Sequence, residues 1–322
     1  MRCNRRSAMW IAAGSLLARR ALAAEPFPSR PLRFVIPYPP GGAADTIGRV
    51  VAQHASATLG QPIVVENRPG ANGMIGANAA LQAPADGYTL VLVTDGMYAI
   101  NPHLLRPGSP DPVERLVPVI QLVTGPLVIV GRPDLPATNL PELIALAKSR
   151  PGELTYGANN VTSSHYLISR LLMQAAGIEM SHVAYAGPTA AMPDLLGGRL
   201  DLLISGPAGT DLRPSSRLRR IAVTSAARLP DHPDIPAVAE TLPGFNHAFA
   251  FGIMVQAGTP PEAVAALNRA FDAALAEVPV REKIATAGAL TMGGPPDRFA
   301  TSIERQKRTM AGIIANLGLK PE

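Results

Sequence analysis

The residues best placed to do chemistry lie in VIPYPPGGAADTIGRVVAQ (35–53), where an apolar strand runs through a Pro-rich turn and Gly41-Gly42 into a helix. Glycines at such a junction let backbone N–H groups come close to a solute. The helix N-terminus adds unpaired donors and partial positive charge, so the chemistry on offer is reversible anion binding without a lysine. A plainer reading stands beside it, in which the glycines make a tight turn and Asp45 caps the helix. A second glycine-rich turn, ENRPGANGMIGANAA (66–80), again follows a strand and precedes a helix, and two such turns from one sheet can face each other across a cleft. Neither is a nucleotide fingerprint: GxGxxG is absent at 41–46 and GxxxxGK[ST] is absent throughout, which disfavours a dinucleotide-binding enzyme.

A third segment, LTYGANNVTSSHYLISRLL (154–172), sets Asn159, Asn160, Thr162, Ser163 and Ser164 just ahead of an apolar-periodic helix. Hydroxyls there either cap the helix or donate to a ligand. Ser164-His165 invites a nucleophile reading, but adjacent residues need not face each other and no GxSxG elbow accompanies them. The remaining histidines, His54, His103, His182, His232 and His247, lie far apart without HExxH spacing, so no metal and no cofactor are expected. Met97, Met173, Met192 and Met254 read as packing.

The elements that must position these residues alternate between strand and helix patterns: RFVIPY (33–38), TIGRVVAQHASATLG (46–60), PIVVENR (62–68), IGANAALQA (75–83) and YTLVLVT (88–94). Such alternation favours parallel sheets covered by helices. LVIVGRPDLPATNLPELIALAK (127–148) and GIMVQAGTPPEAVAALNRAFDAAL (252–275) share one layout, a strand, a Gly/Pro turn and a helix opened by Pro and an acid. The repetition suggests two α/β lobes, each begun by a crossing strand. Crossings near Val123–Leu127 and Asn246–Phe251 place the first lobe at 24–123 and 247–322 and the second at 124–246.

The chain opens with a basic start, an apolar stretch from Ala8 to Ala18 and a small-residue end at Ala21-Leu22-Ala23. That pattern predicts an export signal over 1–23, too short to span a bilayer permanently. Arg5-Arg6 is compatible with twin-arginine export, although the usual Phe-Leu after the pair is missing, and the general route stays open. The full chain carries 29 Lys+Arg against 24 Asp+Glu. Cleavage removes Arg2, Arg5, Arg6, Arg19 and Arg20 and no acid, leaving charge near zero and no basis for nucleic-acid binding. Cys3, the single cysteine, leaves too, so the mature chain has neither disulfide nor thiol nucleophile.

With these segments in view, the chain resembles the Bug family, the extracytoplasmic receptors of tripartite tricarboxylate transporters. RPLRFVIPYPPGGAADTIGRV, GQPIVVENRPGANGMIGA, PADGYTL, INPHL, ELIALAKSRPGELTYG, HVAYAGPTAAMPDLLGGRLDLL, RIAVTSAARLPDHPDIPAVAETLPGF and FGIMVQAGTPPEAVAALN each echo a family block, in shared order and spacing. The resemblance implies an α/β type II periplasmic-binding-protein fold, two lobes joined by crossing strands with a ligand cleft between them. It implies a carboxylate gripped by Tyr38 through Asp45, including Pro40, Gly41 and Gly42, and by Gly70 through Met74, including Ala71 and Asn72. From the second lobe it implies Ser163, Ser164, Ala186, Gly187 and Ser205, with Phe251 as an apolar wall near the hinge. It also implies a monomer that binds a small organic carboxylate in the periplasm and hands it to membrane permease subunits; a second hypothesis, apart from the resemblance, has the loaded receptor dock on a membrane sensor kinase instead. Ala250, where many relatives carry Trp, Ser205, where an acid is common, and 209–220 depart from the pattern; the first two are expected to alter how the pocket reads the solute beyond its carboxylate.

Overall fold

In the computed structural model, described over residues 27–320 apart from 107, 160, 162, 207–209, 211 and 231, the apolar runs form the strands of two sheets. The signal read over 1–23 and the candidates Asn160 and Thr162 lie outside the described residues. Strand β1 (Leu32–Ile36), helix α1 (Ala43–Leu59), β2 (Ile63–Asn67), α2 (Met74–Leu81) and β3 (Thr89–Thr94) follow in order, and β1 pairs in parallel with both β2 and β3. Parallel neighbours require such helical crossovers, and the crossovers bring the N-termini of their helices to the same edge of the sheet.

After α3 (Asn101–Leu104), the long β4 (Leu116–Pro126) leads through Leu127 directly into β5 (Val128–Gly131) of the other sheet. There follow α4 (Leu140–Ser149), β6 (Thr155–Ala158), α5 (Ser164–Ala176), β7 (Ser181–Ala184), α6 (Pro188–Leu196), β8 (Leu202–Ser205) and β9 (Arg219–Val223). The chain returns on β10 (Ala248–Gln256) and ends with α7 (Pro261–Ala276), α8 (Val278–Thr286), β11 (Leu290–Thr291) and α9 (Pro296–Asn316). The first sheet has six strands in the order β11-β4-β10-β3-β1-β2, and the second has five in the order β7-β6-β8-β5-β9.

The sheets are mixed, not parallel throughout. β10 runs antiparallel to β3 and β4, and β5 runs antiparallel to β8 and β9. The cause is the crossover itself: a strand leaving a lobe and a strand re-entering it run in opposite directions, whatever the local strand–helix rhythm.

Apolar burial follows the two-residue strand period. On β5, Ile129 joins the large core that extends through the first sheet, while Val128 and Val130 face a smaller core with Leu195, Leu203 and Val223. Where the two crossing segments meet, the buried Thr224 pins them together. Its hydroxyl donates to the His247 carbonyl at 2.7 Å and accepts from the Leu127 amide at 2.8 Å, while its carbonyl accepts from the His247 amide at 2.9 Å.

Replacing Thr224 by the isosteric Val removes both hydroxyl bonds and leaves buried backbone groups unpaired. Urea unfolding should show a loss of about 1–3 kcal/mol for Thr224→Val and a smaller loss for Thr224→Ser, which keeps both bonds.

Candidate functional site

A cavity of about 530 Å³ lies between the two lobes, within the range of roughly 300–1,000 Å³ usual for small-molecule sites. The N-termini of α1, α5 and α6 all border it, through Ala43, Ser164 and Pro188. Gly42 and Gly187, the N-cap residues of α1 and α6, have no side chain to cap them. At α6 Pro188 has no amide and the Ala190 amide donates to the Gly187 carbonyl at 3.1 Å, so the donors on offer to an anion come chiefly from the start of α1, whose first-turn amides have no partner further up the helix and carry partial positive charge.

The loop before α1 contributes Tyr38, Pro40, Gly41 and Gly42 to the lining. Gly41 sits at φ +85°, a conformation that disfavours any side chain. Asp45 does not border the cavity, and it is not the N-cap, which is Gly42. Its carboxylate is buried and turned back onto the loop: Oδ2 accepts from the Gly41 amide at 3.0 Å, and Oδ1 accepts from Arg49 Nε at 2.9 Å and from Asn67 Nδ2 at 2.8 Å. The Asn67 amide also donates to the Tyr38 carbonyl at 3.0 Å. Asp45 is therefore a brace for the turn. Burial opposes its ionisation, but the bonds from Arg49, Asn67 and Gly41 outweigh that and hold its pKa below the ordinary carboxylate value.

In the second turn four successive residues have positive φ: Gly70 (126°), Ala71 (46°), Asn72 (47°) and Gly73 (90°). Asn tolerates this conformation, whereas for Ala71 it costs of order 1 kcal/mol, a strain held by its surroundings. Asn72 lines the cavity, and its Nδ2 donates to Asn101 Oδ1 at 3.1 Å. Ala71 is exposed and does not line it. A Cβ on Gly73 would stand 2.6 Å from Met97 Sδ, so this turn packs too closely for any other residue.

From the second lobe Ser163, Ser164, Ala186, Gly187 and Ser205 all reach the cavity. Ser163 Oγ caps α5 by accepting from the Tyr166 amide at 3.2 Å, and the buried Ser205 donates to the Gly206 carbonyl at 3.1 Å. His165 also lines the cavity, and burial lowers its pKa to about 4, so the ring is neutral. At the hinge Phe251 packs on Phe249 with ring centroids 5.1 Å apart, and both line the cavity. Ala250 between them is buried on the opposite side of the strand and does not line it, so the Ala at this position leaves the lining unaltered.

Sequence reasoning passed over Thr94, which ends β3 at the cavity, Asp95, which follows it, and Phe249, Lys283 and Thr286. Tyr38 Oη and Thr94 Oγ1 share a hydrogen bond of 2.7 Å, and burial raises the phenol pKa. Burial pushes the Asp95 carboxyl up to about 7, against bonds from Ser164 and from the amides of Gly96 and Ala250. A signal for the pair existed, since ligands of open α/β sheets bind at the carboxyl ends of strands. Lys283 and Thr286 arrive from α8 at the far end of the chain, with no local motif. Among the described residues no group of three or more His, Cys, Asp or Glu is placed to hold a metal, and no helix is long and apolar enough to cross a membrane.

Residues 47–319 match the model of the tripartite tricarboxylate transporter family receptor. The chain is 36% identical over 302 residues to Protein BugT of Bordetella pertussis, covering 93% of each chain. It superposes on the structure of periplasmic binding protein BugD with a TM-score of 0.84 at 28% identity, covering 92% of this chain and all (100%) of that one. It superposes on R. palustris Rpa4515 with adipate with a TM-score of 0.86 at 32% identity, covering 92% of this chain and 100% of that one.

The Asp45 brace predicts an acid-dependent stability. Because its folded pKa lies below the ordinary value near 4, the stabilisation is complete above that pH and fades as pH falls through the folded value. Asp45→Asn should cost about 1–3 kcal/mol in urea unfolding at neutral pH, with the gap to the wild type narrowing as the pH falls below the ordinary carboxylate value.

Proposed function

The chain belongs to the tripartite tricarboxylate transporter receptor family, and on that premise we propose that it is a periplasmic solute-binding protein that captures a small organic carboxylate and delivers it to membrane permease subunits. The observation that carries this reading is the convergence of the α1, α5 and α6 N-termini on one cavity whose only described lining cation, Lys283, is exposed on α8. A carboxylate leaving water needs donors on its oxygens, and backbone amides supply them without a fixed counter-ion. Rpa4515, a structural neighbour holding the dicarboxylate adipate, supports the solute class.

In the cycle we infer, the open protein takes the carboxylate on the loop from Tyr38 to Gly42 and on Asn72. The second lobe, taken as residues 124–246, then folds over it with Ser163, Ser164 and Gly187, pivoting at the crossing strands beside Phe251. Closure excludes water from the solute, and the permease reads the closed form. Binding is the whole activity: the Ser164 hydroxyl is engaged by Asp95, and a His165 ring with a pKa of about 4 is a poor general base near neutral pH. The leader over 1–23 carries the chain to the periplasm, where it acts as a monomer.

The test is a thermal-shift screen of the mature protein against mono-, di- and tricarboxylates, acidic amino acids and neutral solutes. At least one carboxylate should raise the melting temperature saturably, as a ligand of the native state must. Saturable shifts from neutral solutes alone, with every carboxylate inert, would refute the reading.

A further inference from the structure

Among the described residues, several buried side-chain oxygens lack a hydrogen-bond partner, and of these only Asp95 Oδ2 belongs to a residue lining the cavity. Asp95 is 1% exposed and follows directly on β3. Its Oδ1 takes the Ser164 hydroxyl from the opposite lobe at 3.4 Å. Around it stand the phenols of Tyr38 and Tyr98, whose own pKa values its charge raises after burial has done so, and the backbone amides of Gly96 and Ala250. Tyr38 Oη is already paired with Thr94 Oγ1 and Tyr98 Oη with Gln306 Oε1. Among the described residues Lys283 is the one lysine or arginine at the cavity wall, and it is exposed.

A buried carboxyl oxygen without a donor is unfavourable; its residue borders a cleft where a solute is expected to supply what the protein does not, and because the oxygen is closed off from the cavity with Ser164 in place, a donor enters while the lobes are apart. The helix-terminal amides that grip a carboxylate say nothing about the remainder of the solute. The acceptor on Asp95 does. We propose that Asp95 is a specificity-determining residue that accepts a hydrogen bond from the solute, so that the site selects carboxylates bearing a hydroxyl or ammonium group beyond the gripped carboxylate. This inference rests on the carboxylate-capture reading and deepens it. A donor reaching Oδ2 while the lobes are apart completes the carboxyl from the first lobe, and the Ser164 contact on Oδ1 seen in this structure completes it from the second. A second solute carboxylate at the same place would set two anionic acceptors side by side, which is unfavourable unless one takes up a proton. Burial already shifts Asp95 in that direction, to about 7, so unsubstituted diacids should bind better as the pH falls.

The experiment is isothermal titration of the solute-free mature protein with matched sets: lactate, alanine and propionate, then malate, aspartate and succinate. In the set that fits the cavity, the hydroxy or the amino member should bind at least about tenfold more tightly than the unsubstituted one, and which of the two does so identifies the donor. In Asp95→Asn, which swaps an acceptor for an N–H donor at constant shape, that preference should fall below about threefold, with an unchanged or raised melting temperature because a buried charge is gone. If Asp95→Asn fails to fold, Asp95→Ser gives the same readout. An unsubstituted acid binding as tightly as its hydroxy and amino partners in wild type overturns the inference alone. So does a preference that persists in both variants. If no carboxylate binds at all, the capture reading fails as well.

Discussion

A carboxylate taken out of water must find a hydrogen-bond donor for each oxygen, and here the donors on hand are backbone amides at the starts of helices. That constraint governs much of the first lobe. Amides are useful donors only if the turns holding them keep one conformation without a side chain in the way, and on the proposed reading Gly41 at φ +85° and Gly73, packed against Met97 with no room for a Cβ, meet that need. It is also why a charged residue is spent behind the loop. Asp45 gathers the Gly41 amide, Arg49 and Asn67, and Asn67 in turn holds the Tyr38 carbonyl, so the loop is fixed from its buried side and its other side is left for a ligand.

The second lobe joins the first through two crossing passages and a buried core that both lobes share. β4 continues into β5 with only Leu127 between them, β10 returns antiparallel beside β4, and Thr224 ties the two passages at their meeting point. On the proposed reading this meeting point is where small backbone rotations would move one lobe against the other. Phe249 and Phe251 line the cavity at that joint, and the Ser164 hydroxyl on Asp95 bridges the lobes across it. The crossing strands, the two phenylalanines and the polar contact between the lobes therefore share one region.

The strand–helix order of the first lobe was legible in sequence because its signals are local: RFVIPY became Leu32–Ile36 and YTLVLVT became Thr89–Thr94. The direction of pairing was not legible, since antiparallel β10 and β5 follow from the route between lobes and not from any residue in them. The same divide runs through the site. Gly41, Gly42, Asn72, Ser163 and Ser164 sit in turn motifs that announce themselves, Gly187 came only with the family resemblance, and the fold brings them all to one cavity. Asp45 lies within such a motif yet braces it, because its partners Asn67 and Arg49 come from outside the turn, and Ala71 supplies backbone geometry while its side chain stays exposed. Asp95 and Lys283 carry no motif, and only the assembled sheet and the distant α8 put them at the wall.

The most direct measurement of backbone capture is the amide NMR spectrum of the isotope-labelled mature protein during titration with a bound carboxylate. The amide protons of Gly42 to Asp45 at the start of α1 should move downfield together with saturation, alongside those near Asn72. Saturable binding that leaves these amides unmoved while side-chain signals such as Lys283 Nζ respond would contradict the account.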